Sequence, residues 1–118
     1  MRSSVVLPLL LLAGCPPTPL CVTASDPSAA GLTVALGRGK ACDLPVEVQE
    51  VIIRRASDKA ELWRFNGKSG VTVSSFTYGV VPDGCTGQAA EALVAGVPVT
   101  VDVEDVFGAD GVLNITPR

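Results

Sequence analysis

The stretch that decides the fold is Val97-Pro98-Val99-Thr100-Val101-Asp102-Val103-Glu104. Valine recurs at every second position from 97 to 103, so an extended chain places these four side chains on one face. Thr100, Asp102 and Glu104 fall on the other face. Valine is stiff at χ1 and packs well on a pleated surface. One apolar face and one polar face describe an antiparallel sheet covered on a single side.

Shorter runs of the same period lie on the N-terminal side. Leu32, Val34 and Leu36 alternate with Thr33 and Ala35, and Val46 and Val48 alternate with Glu47 and Gln49. The alternation slips near Glu50, before Val51-Ile52-Ile53, which predicts a bulge or a change of sheet. Trp63 and Phe65 share one face of a further strand and belong to the core. Val71 and Val73 begin another strand, which continues through Phe76 and Tyr78. A last strand runs from Gly111 to Thr116. Turn-forming sequence separates the runs: Gly37-Arg38-Gly39-Lys40, Ser57-Asp58-Lys59, Asn66-Gly67, Pro82-Asp83-Gly84 and Ala109-Asp110-Gly111. Asn66-Gly67 and Asp110-Gly111 have the composition of hairpin tips. Only Gln88 to Ala95 suits a helical turn or two. Six or seven short strands at this spacing predict an all-β fold, a small antiparallel β-sandwich of immunoglobulin-like architecture over residues 31–118. Tyr78 lies seven residues before Cys85 rather than two, so the likeness is one of architecture alone.

The chain has 118 residues, enough for one domain. It is 47% hydrophobic but has only three Phe, one Trp and one Tyr, so Val, Leu, Ile and Ala must build the core. Its net charge is −3, and Arg54-Arg55 is the one adjacent basic pair. A nucleic-acid surface needs several phosphate-neutralising cations on one face, and the sequence supplies none.

Histidine is absent. That removes the commonest general base and rules out Ser-His-Asp and Cys-His sites within the chain. Asp102 and Glu104 share the outward face of the valine strand, as a glycosidase pair would require, but alternation alone accounts for both. Asp102, Glu104, Asp105 and Asp110 lack the spacing of an EF-hand calcium loop. Glycines 37 and 39 lack the spacing of a phosphate loop. No catalytic residue, metal site, small-molecule substrate or cofactor is expected, and the chain is read as a non-enzyme.

The N-terminus carries the most specific signal. Arg2 precedes an apolar run from Val5 to Leu12, followed by Leu12-Ala13-Gly14-Cys15. This is the layout of an export signal, and the run is shorter than the ~20 residues that span a bilayer. The last four residues resemble the lipobox of bacterial lipoproteins at every position. The resemblance implies a signal peptide over 1–14, cleavage between Gly14 and Cys15, and diacylglycerol on the Cys15 sulfur, the new amine also acylated by a chain such as palmitate. Two or more chains hold a protein firmly to a membrane. Position 16 is Pro rather than the Asp that favours inner-membrane retention in enterobacteria, which implies the outer membrane, facing the periplasm. Residues 15–30, rich in Pro, Ser, Thr and Ala, read as a lipid-anchored tether; Leu20 to Thr23 is the part best suited to a first strand instead.

Cysteines stand at 15, 21, 42 and 85. With Cys15 committed to lipid, an oxidising compartment allows one disulfide among the other three. Cys42–Cys85 is the favoured pair, with both pairs involving Cys21 open. No CxxC spacing is present to hold zinc.

Phe76-Thr77-Tyr78-Gly79, then Pro82-Asp83-Gly84, Ala92-Leu93, Gly96 and the valine strand resemble a pattern in small proteobacterial lipoproteins, some of them assigned as periplasmic immunity proteins of contact-dependent secretion systems. Valine replaces the usual aromatic of the last strand. The resemblance implies a membrane-anchored, protein-binding module that blocks a secreted effector. The competing expectation is a structural subunit of the envelope or a secretion apparatus. Intact-mass analysis of the membrane fraction should find a chain beginning at Cys15 with added lipid mass; an unlipidated chain, or another N-terminus, would contradict the lipobox reading.

Overall fold

The computed structural model describes residues 19–118. Gly14, Cys15 and the expected signal peptide lie outside the described residues. The described part is all-β, with eight strands: β1 (Leu20–Asp26), β2 (Thr33–Arg38), β3 (Val48–Arg55), β4 (Glu61–Asn66), β5 (Ser75–Thr77), β6 (Thr86–Gly87), β7 (Val99–Asp105) and β8 (Asp110–Ile115). They form two antiparallel sheets, one in the order β1-β2-β5 and one in the order β6-β4-β3-β7-β8. The chain crosses between sheets after β2, β4 and β5, giving the Greek-key connectivity of a β-sandwich.

The inner faces follow the alternation. Val34, Val46, Val48, Val51, Ile53, Trp63, Phe65 and Val101 are wholly buried, and Val99 and Val103 nearly so. The slip near Glu50 is a register shift between Val48 and Glu50 in the β3–β7 ladder. The extra residue lets Val48 and Val51 both face the core although they are three apart. Val97 and Pro98 stand before β7 rather than in it; Val97 N–H closes a turn on the Val94 carbonyl at 3.1 Å.

The expected boundary at residue 31 moves. β1 pairs with β2 from Leu20↔Arg38 to Asp26↔Thr33, so the sandwich begins at Leu20 and the 15–30 segment is not a tether throughout. Leu20 and Val22 bury because β1 also lies against β8. A Cβ on Gly111 would stand 2.9 Å from Val22 Cγ2 and 3.0 Å from the Leu20 carbonyl oxygen. Gly111 is therefore the close-approach point of two strands rather than a hairpin tip, and the β7–β8 turn is Val106–Ala109 instead. Asn66-Gly67 is likewise not a hairpin tip. The chain leaves β4 there and crosses to β5 in the other sheet.

The favoured disulfide is corrected as well. Cys21 bonds to Cys42 across a Cα–Cα distance of 5.7 Å, and Cys85 is free. The loop after β2 folds back so closely that a Cβ on Gly37, the β2 partner of Cys21, would lie 1.9 Å from the Cys42 carbonyl oxygen. Cys42 itself sits at φ 57°, a left-handed conformation that costs a β-carbon residue about 1 kcal/mol and is held here by the crosslink. Cys85 packs in part against the core, and burial pushes its thiol above the ordinary value, so it is a small apolar filler rather than a thiolate.

Gln88 to Ala95 forms no helix. It is held extended over the core by the Trp63 indole N–H, which donates to the Gln88 carbonyl at 2.9 Å, and by Glu91 N–H, which donates to the Leu62 carbonyl at 3.1 Å.

The disulfide spans a sequence separation of 21, and a loop of that size is worth about 3 kcal/mol in the chain-entropy account. Cys21→Ser/Cys42→Ser should lose stability on that order in urea unfolding, while Cys85→Ser should lose less than about 1 kcal/mol. Equal losses from the two variants would contradict the pairing.

Candidate functional site

The five-stranded sheet has one face in the core and one in solvent. Ladder register arranges the solvent face as a grid. One row across β4, β3, β7 and β8 is Asn66, Glu50, Glu104 and Asp110; the next is Arg64, Ile52, Asp102 and Val112; the third is Glu61, Arg54, Thr100 and Asn114. Neighbouring strands are about 4.8 Å apart, so each row is a line of adjacent side chains.

Two arginines neutralise part of this face. Arg54 Nη1 meets Asp102 Oδ2 at 2.9 Å. Arg64 reaches Glu50 at 2.7 Å and Glu61 at 2.8 Å. The hydrogen bond from Arg64 holds the Glu61 carboxyl below its usual value, and the same contact raises the guanidinium of Arg64. These groups are partly exposed, so solvent screening leaves each pair only a small contribution. Ile52 points outward between Arg64 and Asp102 in the middle row yet is only 7% exposed.

Glu104 and Asp110 are different. Among the described residues, neither has a cation within ion-pair distance. They stand directly opposite each other, and Glu50 stands on the other side of Glu104. Like charges opposed across a ladder destabilise it. With Val112, which is 55% exposed, they line a shallow concavity of about 210 Å³ that also includes Glu50, Ile52 and Asp102.

Asp105, considered in the sequence with these acids, points the other way. It is 2% exposed, and its Oδ1 accepts from Phe107 N–H at 2.9 Å and Ala109 N–H at 2.8 Å, fixing the β7–β8 turn. The four acids considered for calcium are thus split between two sides of the sheet. Among the described residues no group of three or more His, Cys, Asp or Glu is placed to hold a metal ion. Trp63 is wholly buried and offers no stacking surface for a sugar. The arginine partners on this face could not be read from the sequence, because register decides which alternating residues become neighbours.

A larger groove, about 670 Å³, lies at the other end of the sandwich beside Ala29, Ala30, Tyr78, Gly79, Ala90 and Leu93. Its walls are mostly alanine. The Tyr78 hydroxyl is engaged internally, donating to the Glu91 carbonyl at 2.6 Å, so the groove presents no directed polar chemistry. The sheet face carries the stronger case for recognition.

No protein-family model matches the chain, and no curated protein matches it in sequence.

Burial first, and then the charge of Glu91, push the Tyr78 phenol up from 10.0 to about 12. The neutral phenol is therefore favoured by folding, and its contribution is complete below the unfolded value and lost as pH rises through the folded one. Tyr78 is the sole tyrosine. Absorbance at the phenolate band should titrate near 12 in the folded protein, and unfolding free energy should fall between pH 10 and 12. Tyr78→Phe should remove the tyrosine's share of that fall and leave the part due to the raised Cys85 thiol.

Proposed function

We propose that this chain is a lipid-anchored protein of the bacterial envelope that binds another protein through the solvent face of its five-stranded sheet. The setting comes from Leu12-Ala13-Gly14-Cys15, and the resemblance to immunity lipoproteins suggests a secreted effector as the partner. The observation that carries the binding reading is the row Glu50-Glu104-Asp110, where two carboxylates stand opposed without a cation, beside exposed Val112. A sheet face arranged for stability alone would pair opposite charges there. A basic protein surface would supply the missing cations, and opposite charge accelerates diffusional encounter. The remaining acids, Asp102 and Glu50, are already held by arginine and set the shape of the face.

Co-expression with the product of the adjacent gene is the direct test. A stoichiometric complex that protects susceptible cells is expected. Glu104→Lys/Asp110→Lys should slow association by about tenfold or more at low salt, with the difference shrinking as salt is raised. Co-purification with a large assembly, without protection, would favour a structural subunit. An unchanged association rate would remove the sheet face as the binding surface.

A further inference from the structure

The end of the sandwich where β1 begins exposes two large apolar side chains. Phe107, in the β7–β8 turn, is 65% exposed, and Leu44, in the β2–β3 loop, is 49% exposed. They belong to one surface. Arg38 pairs with Leu20 at the start of β1, bridges to Leu44, and holds its guanidinium 5.9 Å from the Phe107 ring centroid. Leu44 lies against Gly39, 3.0 Å from where a Cβ would stand. The Cys21–Cys42 bond fixes this loop to β1, and Asp105 fixes the turn. The two apolar groups therefore project from a rigid tip.

Only residues 16–19 separate Cys15 from Leu20. Five covalent steps reach at most about 18 Å. Resting on the lipid anchor proposed above, we infer that this tip sits in the bilayer interface, with Phe107 and Leu44 among the lipid headgroups and upper acyl chains. The short connection keeps the tip at high effective concentration beside the membrane, so a weak apolar contact suffices to hold it there. Arg38 at the end of β2 and Lys40 in the β2–β3 loop are offset by Asp43 and Glu47, and Glu104 and Asp110 flank the turn, so no net positive charge draws the tip to lipid and the contact rests on its apolar groups. Arg38 Nε donates to the Pro45 carbonyl at 3.0 Å, which leaves the two terminal guanidinium nitrogens beside Phe107 to meet a lipid phosphate. The bilayer would then set the long axis of β7 pointing away from the membrane, with the Glu104–Asp110 end of the acidic sheet face nearest the headgroups.

The test uses the lipidated chain purified from membranes, confirmed by intact mass, and reconstituted in zwitterionic phosphatidylcholine vesicles with brominated acyl chains. Phe107→Trp places a probe at the tip; Val94→Trp, at a site 61% exposed beyond the opposite end of β7, is the control. The native Trp63 is wholly buried and supplies the background. In the F107W protein the added emission should shift to shorter wavelength and fall by about half, as expected for a side chain at the headgroup–acyl boundary. In the V94W protein it should do neither. A lipidated F107W protein whose added emission matches that of an indole in water would overturn the inference and leave the anchor standing. A blue shift without quenching would also overturn it, placing a protein, such as a second copy, on the tip. A chain that carries no lipid would overturn both.

Discussion

An indole ring wholly excluded from water still carries an N–H, and here that N–H is met by the Gln88 carbonyl at 2.9 Å. An unmatched donor at that depth would cost about 1–3 kcal/mol. The requirement reaches well beyond one bond. It draws the segment after β6 across the open end of the core and closes the layer over an aromatic cluster. Trp63 packs with Phe65, Phe76 and Tyr78 at centroid separations of 5.2 to 6.0 Å. Phe76 belongs to the three-stranded sheet and the other sheet supplies Trp63 and Phe65, so these rings fasten one sheet to the other. In a chain with so few aromatics, the small aliphatic residues fill space around this cluster.

The same accounting separates the two faces of β7. Inward, valines stack against β3 and its bulge, and each contributes by leaving water. Outward, the chain gives up some ladder stability by opposing Glu104 to Asp110. The cost is tolerable because the inner face is already committed, and because Arg54 and Arg64 balance the neighbouring acids. An uncompensated pair on so regular a scaffold is a local departure from consistency, and such departures are where function is to be sought.

Period-two alternation makes the inner faces of β2, β3, β4 and β7 legible, and the phase slip at Glu50 locates the bulge. What stays hidden depends on contacts distant in sequence. Asp110-Gly111 has hairpin composition, but Gly111 is needed where β1 meets β8, and the turn falls a few residues earlier. Gln88 to Ala95 has helix-forming residues, but hydrogen bonds from Trp63 and Glu91 hold it extended. Leu20-Cys21-Val22 is too short a run to outweigh its Pro- and Ser-rich surroundings, so in sequence β1 reads mainly as tether. The unexpected disulfide has the same root: with β1 omitted from the sheet, Cys21 has no fixed place from which to reach Cys42. On the candidate face, alternation assigns Asp102 and Glu104 outward; it cannot show that Arg54 and Arg64 arrive from β3 and β4.

With β1 part of the sheet from Leu20, a lipid anchor would load the sandwich at an edge strand. If lipid on Cys15 holds the chain, any pull enters at Leu20, the first residue of an edge strand. An edge strand alone would peel one hydrogen-bonded pair at a time. Cys21 is the next residue, and its bond to Cys42 passes the load to the loop between β2 and β3 before a second pair can open. That loop is itself bridged to β2 through Arg38 and Leu44, and its end enters the core at Val46 and Val48. The left-handed Cys42 and the Cβ-free Gly37 are the local concessions that let the loop fold back to this position. The crosslink thus joins the attachment point directly to both sheets, which a bond from Cys42 to Cys85 would leave undone.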